Sequence, residues 1–336
     1  VYEPLITKNP ETGEFEPCLA TAWEWVDDTH LKFTLREGVK FHNGQDFTSA
    51  DVVKTVERMR VGSASASLYS AFLEAVPNGD YEVTIEFEYS FGPALNFLTN
   101  GRAYIVPHEY LEENGEQSLY QNMIGTGPYK FVEWVIGSYV SFTRNDEYWG
   151  EKAYIKDTMI RFIIDNTARM VALETGEIDL ANGIQDSDMQ ILMNGEHEHI
   201  KGEPVPGMQV NYLAFNLNVE PLQDVRVRQA IAHAVDWEAT IETAAGMTFA
   251  LADSCLAPTI DYYKPVGTYE YDPELSKQLL ADAGYADGFE FTVTEEEVPL
   301  AIRVLETVQA YLAEIGITMN IEATDAPAWQ EAIQRG

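Results

Sequence analysis

Residues 31–53, LKFTLREGVKFHNGQDFTSADVV, constrain this chain more than any other stretch. Leu31, Phe33 and Leu35 alternate with Lys32, Thr34 and Arg36, which predicts a strand with one face in a core and the other in water. Glu37-Gly38 interrupts the run, and Val39-Lys40-Phe41 resumes the alternation. His42-Asn43-Gly44 then reads as a turn, because Asn and Gly accept positive φ at little cost. Thr48 and Asp51 stand at capping-box spacing, so a helix is predicted from Ser49 with Val52, Val53 and Val56 turned inward. The result is a strand–turn–helix corner, and by itself it carries no chemistry.

With 336 residues the chain exceeds one comfortable core, so two or more domains are expected. Its 55 acidic and 21 basic side chains give a formal charge of −34, which repels phosphate backbones and argues against nucleic acid as a partner. An anionic membrane surface is disfavoured for the same reason. The acidity fits either a saline habitat or a secreted protein kept soluble by self-repulsion, and composition does not choose between them. No apolar run reaches the length of about eighteen residues that a membrane span needs. Cys18 and Cys255 either pair in an oxidising compartment or stay as separate thiols.

Along the chain, Ala22, Trp23 and Trp25 are expected in the core. Val83, Ile85 and Phe87 alternate as a strand, Phe91-Gly92-Pro93 breaks it, and residues 94–98 read as a short helix. Residues 160–164, 166–174 and 177–180 predict a β-α-β unit in which Gly176 stops the helix. Residues 209–216 alternate as a further strand. Residues 221–235 read as one helix with Val227, Ala230, Ile231 and Ala234 on one side, and Asp236 caps the next, which Gly246 ends. Asp272-Pro273 starts another helix and Gly284 stops it. Residues 290–294, the helical spacing from Leu300 to Ile315, and residues 317–323 predict a parallel pair with a right-handed crossover. Asp325 is placed to cap one more helix.

Catalytic patterns are missing. The glycines of residues 124–129, IGTGPY, lack the third glycine and the following helix of a phosphate loop, and fit a tight turn before a hairpin. The six histidines do not combine with the cysteines at zinc spacing, and His197-Glu198-His199 reads as a solvated loop. There is no G-x-S-x-G elbow and no H-E-x-x-H. Neither a cofactor nor a metal is expected.

LREGVKF, HNG and FTSADVV, in that order, resemble the family 5 solute-binding proteins of ABC importers, the peptide- and nickel-binding group. VYEPLI, EPCLATAWEW, IGTGPY, RNDEYWG and GEIDL resemble further landmarks of the same family. The resemblance implies an α/β, two-lobed fold like that of type II periplasmic binding proteins. A composite first lobe would take residues 1–44 and 151–240, an inserted α+β subdomain 45–150, and an incomplete second lobe 241–336. The chain is expected to be trimmed at both ends relative to the family. The implied activity is capture of an oligopeptide or dipeptide for import, outside the cytoplasmic membrane, by a monomer working with permease and ATPase subunits. A nickel or other metal chelate, or another small solute, is the alternative, and a hydrolase or chemoreceptor partner the more distant one.

The residues that the resemblance places at the ligand are Tyr69, Asn100, Gly101 and Arg102 from the first wall, and Gln209, Asn211 and Tyr212 from the returning strand. In nickel-binding members two loops of that wall each carry an arginine. Here one reads SASASLY and the other has Asn100, with Arg102 two positions on, which weighs against a nickel chelate. Arg144 and Trp149 are expected to fix the hairpin to its domain.

Overall fold

The computed structural model describes the chain apart from residues 62, 63, 206, 245–248, 261 and 336, and apart from the side chains of 64, 65, 186, 334 and 335. The described chain divides into two compact units, Val1–Ile163 and Ile164–Gly336.

The first unit opens with β1 (Ile6–Lys8), β2 (Phe15–Pro17), β3 (Ala20–Asp27) and β4 (His30–Leu35), followed by α1 (Ser49–Arg60). After β5 (Phe72–Pro77) and β6 (Glu82–Phe87) come α2 (Ala94–Leu98), α3 (His108–Asn114) and α4 (Ser118–Gln121). Strands β7 (Tyr129–Val135), β8 (Tyr139–Arg144) and β9 (Asp157–Arg161) complete it. The main sheet has the order β3-β4-β6-β5 and is antiparallel throughout. The alternation that predicted β4 is its burial pattern: Leu31 and Phe33 face Ile85 and Val83 across the ladder, and all four are fully buried. Removing each such side chain from water is worth about 2 kcal/mol. Helix α1 lays Val52, Val56 and Met59 in the same core, and Val53 packs partly buried against it.

Two expectations about this region change. Val39 and Phe41 are buried but form no strand, only an isolated bridge between Lys40 and Asp46. Ala22 and Trp25 are exposed, because β3 is an outer strand of the sheet; Trp25 rests on Phe87 with ring centroids 5.5 Å apart. Residues on both sides of position 45 share this sheet, through the pairing of β4 with β6.

The second unit contains α5 (Asn166–Glu174), α6 (Asp186–Met193), α7 (Glu220–Gln223), α8 (Val225–Ala234), α9 (Trp237–Ala244) and α10 (Pro273–Asp282). Then come β10 (Phe289–Glu296), α11 (Pro299–Glu314), β11 (Ile317–Thr324) and α12 (Ala326–Arg335). Its core joins Val227, Ala230 and Ile231 to Leu280, to Leu305, Val308 and Leu312, and to Ile317 and Met319. β10 and β11 pair in parallel with α11 as the crossover, as predicted. They start so close together that a Cβ on Gly288 would lie 1.8 Å from the Gly316 carbonyl oxygen.

The predicted β-α-β unit does not form. Residues 160 and 161 close β9, which runs antiparallel to β8 in the first unit. Helix α5 does form, capped by Asp165 on the Ala168 N–H at 2.7 Å. Beyond Gly176 (φ +72°), residues 177–180 carry no strand, and Leu180 is 83% exposed. Residues 209–216 likewise carry no strand and have no ladder partner among the described residues. The helix predicted over 221–235 is two helices, because Asp224 turns its carboxylate onto the Arg226 N–H at 2.8 Å and starts α8 anew. The proposed stop at Gly246 lies outside the described residues. Both cysteines are free thiols, Cys18 buried and Cys255 exposed.

Candidate functional site

Four of the sequence landmarks meet in the first unit. Residues 1–5 run past the glycine turn, and the Gly127 N–H donates to the Val1 carbonyl at 2.8 Å. A Cβ on Gly125 or Gly127 would stand 2.3 or 2.7 Å from that carbonyl oxygen, so the two glycines are there to admit a backbone, not a phosphate. His42, from the HNG turn, donates through Nε2 to the Gly127 carbonyl at 2.8 Å and accepts the Gly125 N–H at Nδ1 at 3.4 Å. Asn145, from the RNDEYWG stretch, donates its own N–H to the Pro128 carbonyl at 2.7 Å.

Glu3 closes the junction. Its carboxylate is buried and accepts from the Tyr148 hydroxyl at 2.5 Å, the Thr126 hydroxyl at 2.7 Å and the Trp149 indole at 3.0 Å. The Arg36 guanidinium lies 4.3 Å from the Trp149 ring centroid. Burial, with Glu3 alongside, pushes the Cys18 thiol up to about 12 and holds the Tyr148 hydroxyl well above its ordinary range. Burial also lowers the His42 imidazole, with Lys130 acting in the same direction. Trp149 ties the hairpin in through Glu3 and Arg36, whereas Arg144 reaches the Ala153 and Tyr154 carbonyls in the segment that follows the hairpin. Sequence reasoning missed Glu3, Thr126 and Tyr148. The available signal was a carboxylate inside the apolar run VYEPLI, which needs donors wherever that run is buried.

The expected ligand residues fall in two places. Tyr69 is 2% exposed and packed against Phe72 and Phe97 at 5.6 and 5.5 Å, a core aromatic. One edge of it lines a shallow groove of about 440 Å³ together with Arg60, Val61, Ala66, Ser67 and Ser70. Burial raises the Tyr69 hydroxyl, and the Arg102 charge partly offsets this. Asn100 is exposed, and its side-chain oxygen takes the Arg102 N–H at 3.1 Å, capping the 3-10 turn Gly101–Ala103. Gly101 is exposed with open space around it.

Gln209, Asn211 and Tyr212 belong to the second unit. Gln209 donates to Asn211 at 3.3 Å, and Tyr212 is 81% exposed. His197 lies 3.3 Å from Glu174, and His199 is solvated. Among the described residues no three His, Cys, Asp or Glu side chains are grouped to hold a metal ion, and no helix is long and apolar enough to cross a membrane.

The chain matches the family model described as bacterial extracellular solute-binding proteins, family 5 Middle, over residues 14–336. Heme-binding protein A of Haemophilus influenzae is 30% identical over 95% of this chain and 64% of its own length. The nickel-binding periplasmic protein of Escherichia coli is 32% identical over 85% of this chain and 56% of its own. The chain thus spans less than two thirds of the length of these curated relatives. Among solved structures, the dipeptide binding protein from Pseudoalteromonas sp. SM9913 in complex with Met-Leu superposes with a TM-score of 0.84 at 28% identity, over 100% of this chain and 72% of that one. The α/β fold is that of the type II periplasmic binding proteins. The chain belongs to the family 5 bacterial extracellular solute-binding proteins.

Proposed function

We propose that this chain is most of a receptor that captures an oligopeptide or dipeptide outside the cytoplasmic membrane and delivers it to the permease and ATPase subunits of an ABC importer. The family match across residues 14–336 carries this reading. A solved relative in complex with Met-Leu favours a peptide, and Arg102 is the residue assigned to its terminal carboxylate, since a guanidinium suits that group. Tyr69, Asn100, Gly101 and Arg102 on one unit and Gln209, Asn211 and Tyr212 on the other are the residues assigned to the ligand. The composite partition into residues 1–44 with 151–240, 45–150 and 241–336 belongs to the same reading, as does a monomer held at the cell surface or free in the periplasm.

Function follows from preferential binding. A solute that contacts both walls stabilises the closed form over the open one, and only that difference in affinity can shift the population a transporter recognises. No catalytic step is proposed. A nickel or other metal chelate is the second reading, favoured by the 32% identity to the nickel-binding periplasmic protein. The test is a thermal-shift screen of the intact protein against peptide pools, nickel chelates and heme. A peptide at a hundred times its Kd would add about 2.7 kcal/mol and raise Tm. A rise with a chelate or heme and none with peptides would overturn the first reading.

A further inference from the structure

Six asparagines precede a glycine, at positions 43, 78, 100, 114, 182 and 194. In such a pair no side chain shields the glycine nitrogen, and it can attack the asparagine side-chain carbonyl carbon. The attack needs a carboxamide free to turn and a backbone N–H free to lose its proton, and the fold grants these unequally. Asn43 holds Gln45 through both ends of its amide, at 2.6 and 3.2 Å, and the Gly44 N–H donates to the Phe41 carbonyl. Asn114 donates to the Tyr110 carbonyl at 2.9 Å, while the Gly115 N–H binds the Leu111 carbonyl. Asn194 donates to Glu196 at 3.4 Å, and the Gly195 N–H binds the Leu192 carbonyl. Asn78 donates to the Thr84 hydroxyl at 2.9 Å, and Asn100 accepts the Arg102 N–H at 3.1 Å. Asn182 and Gly183 are both exposed, and neither the Asn182 carboxamide nor the Gly183 N–H has a hydrogen-bond partner among the described residues.

One cation bears on the reaction. Arg169, in α5, donates through Nη1 to the Asn182 carbonyl at 3.3 Å and to the Gly183 carbonyl, and through Nη2 to the Ile164 carbonyl at 3.2 Å. The Asn182 carbonyl shares its peptide unit with the Gly183 nitrogen, so when that nitrogen loses its proton the charge spreads onto the oxygen that the guanidinium holds. We propose that Asn182 is a self-modification site of this chain: the Gly183 nitrogen attacks the Asn182 carboxamide carbon, with Arg169 as the positioning residue that stabilises the attacking amide. The N–H proton passes to solvent, and the new N–C bond closes a five-membered succinimide. The carboxamide nitrogen takes up a proton from solvent and leaves as ammonia. Water then adds to one of the two imide carbonyls and one C–N bond breaks, leaving an aspartyl or an isoaspartyl residue. Nothing besides water is consumed. Either product adds one negative charge to the loop that Arg169 holds.

The test is incubation of the intact protein at about pH 8 and about 37 °C, followed by peptide mapping that counts the gain of about 1 Da at each of the six pairs. Each hydrogen bond that must break before the attack slows it about fivefold, the equivalent of about 1 kcal/mol. Asn182 should therefore convert about fivefold faster than Asn78 and Asn100, and about twentyfold faster than Asn43, Asn114 and Asn194. In about 8 M urea, where those bonds are gone, the six rates should converge. Arg169→Gln should slow Asn182 about fivefold in the native protein and leave its rate in urea unchanged. Arg169→Lys, which keeps the cation, should restore part of the rate. Native rates in which Asn182 does not lead the six overturn the site, and the same lead persisting in urea overturns its structural cause. A native Arg169→Gln rate equal to or above that of the parent chain overturns the role of Arg169.

Discussion

Glu3 shows how one residue can decide a local structure. Three donors converge on a carboxylate that is 7% exposed, so Glu3→Ala strands all three in a dry site. The expected cost is about 3 kcal/mol, read as a lower urea midpoint at unchanged slope. Cys18 makes a chemical prediction. Its thiol, pushed up to about 12 by burial, should resist iodoacetamide in the native protein while exposed Cys255 is alkylated, and should react after unfolding. For His42 the sign is fixed by its lowered value. Its contribution to stability is complete above about pH 6.5 and is lost as pH falls toward the folded value, at no more than about 1.4 kcal/mol per pH unit. Urea midpoints from pH 7.5 downward check this, and His42→Gln should remove that part of the slope.

At the level of elements, local chemistry was readable and distant pairing was not. The capping box at Thr48 and Asp51 predicted where α1 starts, and the Thr48 N–H does bind Asp51 at 2.8 Å. The same carboxylate also takes the His108 N–H and His108 Nδ1, each at 2.9 Å, and so starts α3 as well. Nothing within a few residues of Asp51 could reveal a partner 57 positions away. Asp51→Ala should therefore loosen two helices at once and cost about 2–4 kcal/mol, with amide protection falling in α1 and α3 together. A loss confined to α1 would contradict the shared cap. The strands expected at 177–180 and 209–216 fail for the complementary reason: alternation says which face is apolar, but a strand also needs a neighbour to bond. Trp25 shows the same limit, since residue type suggested a core position and the order of the sheet put β3 outside.

For the molecule as a whole, family landmarks made the fold legible, and several of them turned out to contact one another. IGTGPY and RNDEYWG close on residues 1–3, and HNG closes on IGTGPY. The proposed ligand residues were harder to read, because loops such as SASASLY tolerate many sequences. Charge acts at this scale too. With −34 spread over the chain, much of the self-repulsion is long-range and open to screening. Tm should rise as KCl goes from about 0.05 to about 0.5 M, a range in which the Debye length shrinks to a few ångströms. A flat response would mean that the carboxylates do not strain the fold.

The parallel pair β10–β11 has a consequence for handling the protein. Each strand has one flank bonded to the other and one flank not bonded within the two-stranded sheet, an arrangement that invites pairing between molecules. Glu290, Glu295, Glu296 and Glu322 stand along these strands like fence posts, and two like-charged borders cannot zip together cheaply. Replacing the four with glutamine, which removes the posts, should make concentrated solutions of this chain turn cloudy.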